Sequence, residues 1–214
     1  MSILYYILIA YFITKMPVIG SYFRMINTAI HECSHVVIAK LTGGKAYRIV
    51  LNRDTSGHAL VGSSSWLSGI VIAYSGYTGS SLTAFMLFFL LSKGYYFVVL
   101  SVLLSILVVA TIFWLRSIVG ILWSVSMISL LALLLNNQLD SIIIHFSYLL
   151  ASVVLLESVA SAAYLMFISI KQPNQAGDAT SLQKYTMIPA FAWGILFFVQ
   201  SIYIGYRVFS DFVV

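Results

Sequence analysis

Apolar runs long enough to cross a bilayer recur along the chain, and no other feature constrains the fold as strongly. A spanning helix needs about 20 predominantly apolar residues. Four such runs follow one another at about 66–91, 95–115, 118–135 and 142–170, broken only by Lys93-Gly94, Arg116 and Asn136-Asn137-Gln138. A fifth, about 187–209, comes after a polar stretch, 171–186, that contains Pro173 and Gly177-Asp178. A shorter run from Ile3 to Thr14, extending at most to Met16, precedes Pro17 and Gly20. Charged residues make up 8% of the chain, against about 25% in soluble domains. They are too few to cover a water-facing surface, and disorder would require high charge with low hydrophobicity. A membrane barrel would alternate polar and apolar positions instead of massing them. The chain therefore reads as one all-α polytopic membrane domain over 1–214, with six to seven transmembrane helices.

The segment 22–41 is a different kind of helix, semi-apolar and carrying Arg24, His31, Glu32 and His35. Gly43-Gly44 ends it, as glycine past a helix C-terminus commonly does. Over 46–63, Tyr47, Ile49 and Leu51 alternate with Arg48, Val50 and Asn52. The turn-rich Arg53-Asp54-Thr55-Ser56-Gly57 then leads into His58-Ala59-Leu60-Val61. This pattern predicts one membrane-associated β-hairpin, the only strand signal in the chain. The net charge of +5 does not point to nucleic acid, because the basic residues stand singly at the ends of apolar runs, where they orient helices. In an alternating topology of seven membrane segments, the loops after the second, fourth and sixth share a side. They hold Lys40, Lys45, Arg48, Arg53, Arg116, Lys171 and Lys184, against Lys15, Arg24, Lys93 and Arg207 opposite. The bias puts the first group in the cytoplasm. The N-terminal run lacks a basic leader region and reads as a retained helix. Cys33 is the single cysteine and excludes an intrachain disulfide.

His31-Glu32-Cys33-Ser34-His35 is an HExxH motif. Residues four apart lie on one helix face, so both imidazoles can reach a single zinc at about 2.0–2.1 Å. Glu32, beside His31 and not a ligand, can take the proton of a metal-activated water. Cys33 lies nearly opposite His31 around the helix and is not a ligand. Ionisable residues inside a membrane segment are costly and mark function by default. The competing explanation is a polar helix face hydrogen-bonded to its neighbours.

Catalytic zinc sites take three protein ligands, so a further group is needed. Glu157, near the middle of the 142–170 run, fits a metal ligand or proton relay, or a protonated carboxyl bonded to a neighbouring helix. Asp178 follows Gly177 just before a helix, where aspartate is most often an N-cap. It is also an acid that could complete the set. His145 near the start of its run reads as structural, and His58 in the hairpin as solvated or structural. Asp211, at the tail, is discounted. Gly69, Gly76 and Gly79, with Ser68, Ser75, Ser80 and Ser81, form a small-residue face suited to close helix packing, including packing against the HExxH helix.

With these residues in hand, the chain resembles the site-2 protease-like intramembrane zinc metallopeptidases, in particular their small bacterial M50B-like branch. That branch shows an HECGH helix, a stretch ending in Thr-Gly-Gly, and a hairpin with glycine near its turn. Here His31, Glu32 and His35 match, Ser34 replaces the usual glycine, and Thr42-Gly43-Gly44 follows. Tyr74-Ser75-Gly76-Tyr77-Thr78-Gly79 resembles the family's Ala-Gly-Tyr-x-Gly stretch. Gly177-Asp178-Ala179 with Thr186, Pro189 and Trp193 resembles the branch's C-terminal pattern. The resemblance implies one zinc per chain on His31 and His35, with Glu32 as general base. It also implies hydrolysis of peptide bonds in a transmembrane protein or peptide substrate within the lipid bilayer of a bacterial plasma membrane. The better-known members carry their third ligand in an Asp-Gly pair within a helix that follows an Asn/Pro motif, and this chain has neither. The third ligand is expected at Asp178, whose loop shares a side with the His31–His35 end of its helix. Glu157, reaching from a kinked helix, is the alternative. The hairpin edge is expected to hold an unwound substrate segment by strand addition. Two other readings compete: a non-catalytic membrane scaffold of the same fold, and a metal or proton transporter using His31, His35, His145 and Glu157.

Overall fold

The computed structural model describes residues 3–137 and 140–212. Helix α1 (Ile3–Lys15) stops before Met16-Pro17, and α2 (Ile19–Leu41) leaves it at 108°. The bend is a γ-turn at Val18, with φ 66° and ψ −63°, closed by the Ile19 N–H donating to the Pro17 carbonyl at 2.8 Å. Glycine at 20 lets the two helices meet, because a Cβ there would lie 2.6 Å from the Thr14 oxygen and 2.8 Å from that of Ile13. This bend lowers the expected span count, because α1 alone is too short to cross. Five helices are each long and apolar enough to span, and the α1–α2 pair can add a sixth as one broken span.

The hairpin follows as β1 (Lys45–Leu51) and β2 (Gly57–Gly62), antiparallel, with Ile49 opposite Ala59 and Leu51 opposite Gly57. An irregularity at Tyr47 shifts the register between Ala46 and Arg48. Asp54 closes the turn by accepting from the Ser56 N–H at 3.0 Å and hydroxyl at 2.6 Å, which holds its carboxyl below the usual carboxylate range. Ile49 and Leu51 are buried in the main core. The long helices then run as α3 (Trp66–Ser92), α4 (Tyr96–Phe113), α5 (Ile118–Asn136) and α6 (Asp140–Lys171). Ser65 and Ser117 cap α3 and α5 by accepting from the Ser68 and Gly120 N–H groups.

The hairpin is not alone as extended structure. The Ile49 N–H donates to the Trp114 carbonyl at 2.7 Å, and the Arg116 N–H donates to the Ile49 carbonyl at 3.0 Å. The Ser117 hydroxyl accepts from the Leu51 N–H and donates to the Leu51 carbonyl, both at 3.0 Å. The α4–α5 connection thus covers the outer edge of β1. It also lies at the same end of the molecule as the hairpin.

The polar stretch after α6 is mostly helix rather than loop. A short 3₁₀ turn (Pro173–Gln175) leads into α7 (Gly177–Thr186), and α8 (Ala190–Phe212) closes the chain. Ala179 and Leu182 are fully buried with Leu165, Ala190 and Phe197 in a second core cluster. Thr180 Oγ1 accepts from the Ala176 N–H at 2.9 Å and donates to the Pro173 carbonyl at 2.6 Å. The Trp66 indole donates to the Tyr185 carbonyl at 2.7 Å, and the Trp193 indole to Thr186 Oγ1 at 3.1 Å. These bonds pin α7 against α3 and α8 and so fix where Asp178 points.

Candidate metal centre

The face of α2 that carries His31 and His35 packs closely on α3 at Gly76. A Cβ on Gly76 would fall on the His31 ring, 2.5 Å from its Nε2 and 2.6 Å from His35 Nε2. One turn along, a Cβ on Gly79 would collide with the Ser34 side chain. The small-residue face of α3 therefore makes room for the HExxH helix, and Ser34 fits because position 79 is glycine. Gly76→Ala is expected to abolish metal binding while the helices still insert. Metal analysis of the purified variant checks this.

Three donor atoms converge beside Gly76. His31 Nε2 and His35 Nε2 are 3.1 Å apart, and Asp178 Oδ2 lies 3.2 Å from the first and 3.3 Å from the second. Ligand atoms about 2.0–2.1 Å from a tetrahedral zinc stand about 3.3–3.4 Å from one another, close to this triangle. The His35 Nδ1–H donates to the Ile72 carbonyl at 2.7 Å. That bond places the proton on Nδ1 and turns the Nε2 lone pair toward the cluster, the orienting contact that metal-bound histidines use. Asp178 Oδ2 is buried and accepts no hydrogen bond among the described residues. Two imidazole nitrogens and an unsatisfied carboxylate oxygen form a donor set that could hold a metal ion.

Glu32 is buried and faces the hairpin, where a Cβ on Gly57 would lie 3.0 Å from its Oε1. It shares a cleft of about 440 Å³ with His31, His35 and Asp178. Strand β2 forms one wall through Gly57, His58, Ala59 and Val61, and α7 another through Ser181 and Tyr185.

Asp178 is not an N-cap. It lies in the first turn of α7, where Ala176 is the cap residue and no side chain caps the helix. Glu157 stands apart from the cluster, accepting from Arg24 Nε at 3.0 Å across α2 and α6. His145 Nδ1 bonds the Tyr6 hydroxyl at 2.6 Å, a structural setting, and Asp211 pairs with Arg207 on α8. His58, expected to be solvated or structural, is exposed and lines the cleft. Sequence reasoning assigned no role to Tyr77, whose ring stands edge-on to His31 with centroids 4.6 Å apart. Its signals in the sequence are its place beside Gly76 and in the stretch that resembles the family's Ala-Gly-Tyr-x-Gly pattern.

The architecture is that of an integral multi-pass membrane protein with a His-His-Asp cluster drawn from α2 and α7. The family model for Peptidase M50B-like proteins matches residues 3–206, nearly the whole chain, and the chain belongs to that family. Comparison with curated proteins and with solved structures finds no match.

Proposed function

We propose that this chain is an intramembrane zinc endopeptidase that cleaves membrane-spanning protein substrates, with His31, His35 and Asp178 as zinc ligands and Glu32 as general base. The observation that carries this reading is the triangle of three ligand atoms at 3.1–3.3 Å in one cleft with a buried glutamate. A zinc ion held there would lower the pKa of a water ligand and polarise the scissile carbonyl. Glu32, adjacent to a ligand and absent from the ligand triangle, accepts the proton of the attacking water and passes it to the departing amine. Zinc analysis of the detergent-purified protein should give one ion per chain, tightly retained, and His31→Ala should remove it. An ion-free protein would favour the scaffold reading, and a readily exchanged ion the transporter.

A helical substrate keeps its carbonyls hydrogen-bonded, so cleavage needs an extended segment. The hairpin can supply the template, but on one edge only. The Ile49 N–H and carbonyl turn away from β2 toward the α4–α5 connection, so the opposing Ala59 backbone must turn away from β1. Gly57, opposite Leu51, and Val61, two residues past Ala59, share that outward phase. The outer edge of β2 lies on the cleft side, where Glu32 accepts from the Ala59 N–H, and Gly57 and Val61 on either side leave outward backbone groups to which a substrate strand can add. Val61→Pro removes one outward N–H without touching the ladder. Turnover should fall with zinc content unchanged. Leu60→Pro, whose N–H points into the ladder, should disrupt the hairpin itself. Wild-type turnover by Val61→Pro in a cleavage assay would dismiss strand addition at this edge.

A further inference from the structure

We propose that Tyr77 is a further catalytic residue, its phenol donating a hydrogen bond to the oxyanion that forms on the scissile carbonyl; the proposal rests on the peptidase reading above. Tyr77 follows Gly76 on α3 and lines the cleft with Glu32 and Asp178. Its ring is clamped from two sides. His31 meets it edge-on at 4.6 Å and 82°, and the fully buried Phe197 of α8 packs on it at 5.0 Å. A ring held in this way cannot swing out of the cleft.

The hydroxyl is available to a bound substrate. A buried tyrosine ordinarily finds a partner for its O–H. Tyr74, one turn earlier, donates to Gln200 Oε1, and Tyr22 shares a hydrogen bond with Ser126. Tyr77 is half-buried and lines the cleft; its hydroxyl makes no hydrogen bond to a described residue and stays accessible from the cleft. A clamped, unpaired donor beside a ligand histidine is what stabilisation of developing negative charge requires, because it needs no reorganisation when the charge appears.

The step balances. As the water oxygen bonds to the carbonyl carbon, the C=O π pair moves onto the carbonyl oxygen and the released proton goes to Glu32. The oxyanion accepts from the Tyr77 O–H. When the C–N bond breaks, its electron pair leaves with nitrogen, the oxyanion pair re-forms C=O, and the Glu32 proton goes to the amine. Tyr77 keeps its proton throughout.

Tyr77→Phe deletes the hydroxyl and keeps the ring clamp. On a tagged single-span peptide in detergent micelles, kcat should fall by about 10²–10³-fold, the usual loss for one oxyanion donor, with KM and zinc content unchanged. A phosphinate pseudo-peptide, which mimics the tetrahedral state, should bind Tyr77→Phe more weakly by a similar factor. Equal phosphinate affinity and kcat in the two proteins would overturn the proposal. Loss of zinc from Tyr77→Phe would overturn it as well, by making the residue a support for the ligands. If zinc-loaded wild type itself fails to bind the phosphinate, the peptidase reading fails and Tyr77's role with it.

Discussion

Asp178→Ala should lose both zinc and cleavage, while Glu157→Ala keeps both. Of the two acids that could serve as a third ligand, Asp178 stands beside the imidazoles and Glu157 does not. Asp178 Oδ2 stands 3.2 and 3.3 Å from the two imidazole nitrogens, with no hydrogen bond to satisfy it. Glu157 is already engaged by Arg24 at 3.0 Å. Removing Asp178 leaves two histidines, one ligand short of an ordinary catalytic set. Zinc affinity should therefore fall further than the about 10–100-fold that outer-shell changes cost. Glu157→Ala leaves the Arg24 side chain unpaired and should lower stability without touching the metal. Zinc content and thermal unfolding, measured on both variants, separate the two outcomes.

The sequence carried some of this structure openly and concealed the rest. Spanning helices are legible because hydrophobic runs are a local property, and α3 to α6 lie within a few residues of where the runs place them. The HExxH pair is legible because four-residue spacing already fixes a shared face. Helix α7 is not. Its ten residues are polar on average, and it is held by contacts made elsewhere: Thr180 to Pro173, Trp66 to Tyr185, Trp193 to Thr186. Thr186 and Trp193 enter the sequence pattern only as parts of a family resemblance, and in the structure they hold α7 to α8. The bend between α1 and α2 depends on one unusual dihedral at Val18, which no hydropathy window registers. The cover over the β1 edge is backbone pairing across a separation of some 65 residues, and such pairing imposes no side-chain pattern. The Arg24 partner of Glu157 lies 133 residues away and has the same difficulty.

The second large effect is expected at Glu32. Its carboxylate is buried in the cleft and is not one of the three atoms in the ligand triangle. Glu32→Gln keeps the size and most of the packing of the side chain but cannot accept a proton. General acid–base groups contribute about 10²–10⁴-fold to rate, so cleavage should drop by at least that range. Zinc should stay at one per chain, because no ligand is lost. A histidine variant, by contrast, should lose metal and activity together. That difference distinguishes a base from a ligand, and an active fold from an inert scaffold.

The most direct measurement is co-expression of wild type and Glu32→Gln with tagged single-span membrane proteins, followed by tag fragment analysis and zinc determination on the same preparations. Wild type is expected to give membrane-region fragments and Glu32→Gln none, with equal zinc in both. Fragments of equal yield from the two proteins, or loss of zinc from Glu32→Gln, would contradict the role of Glu32 as general base.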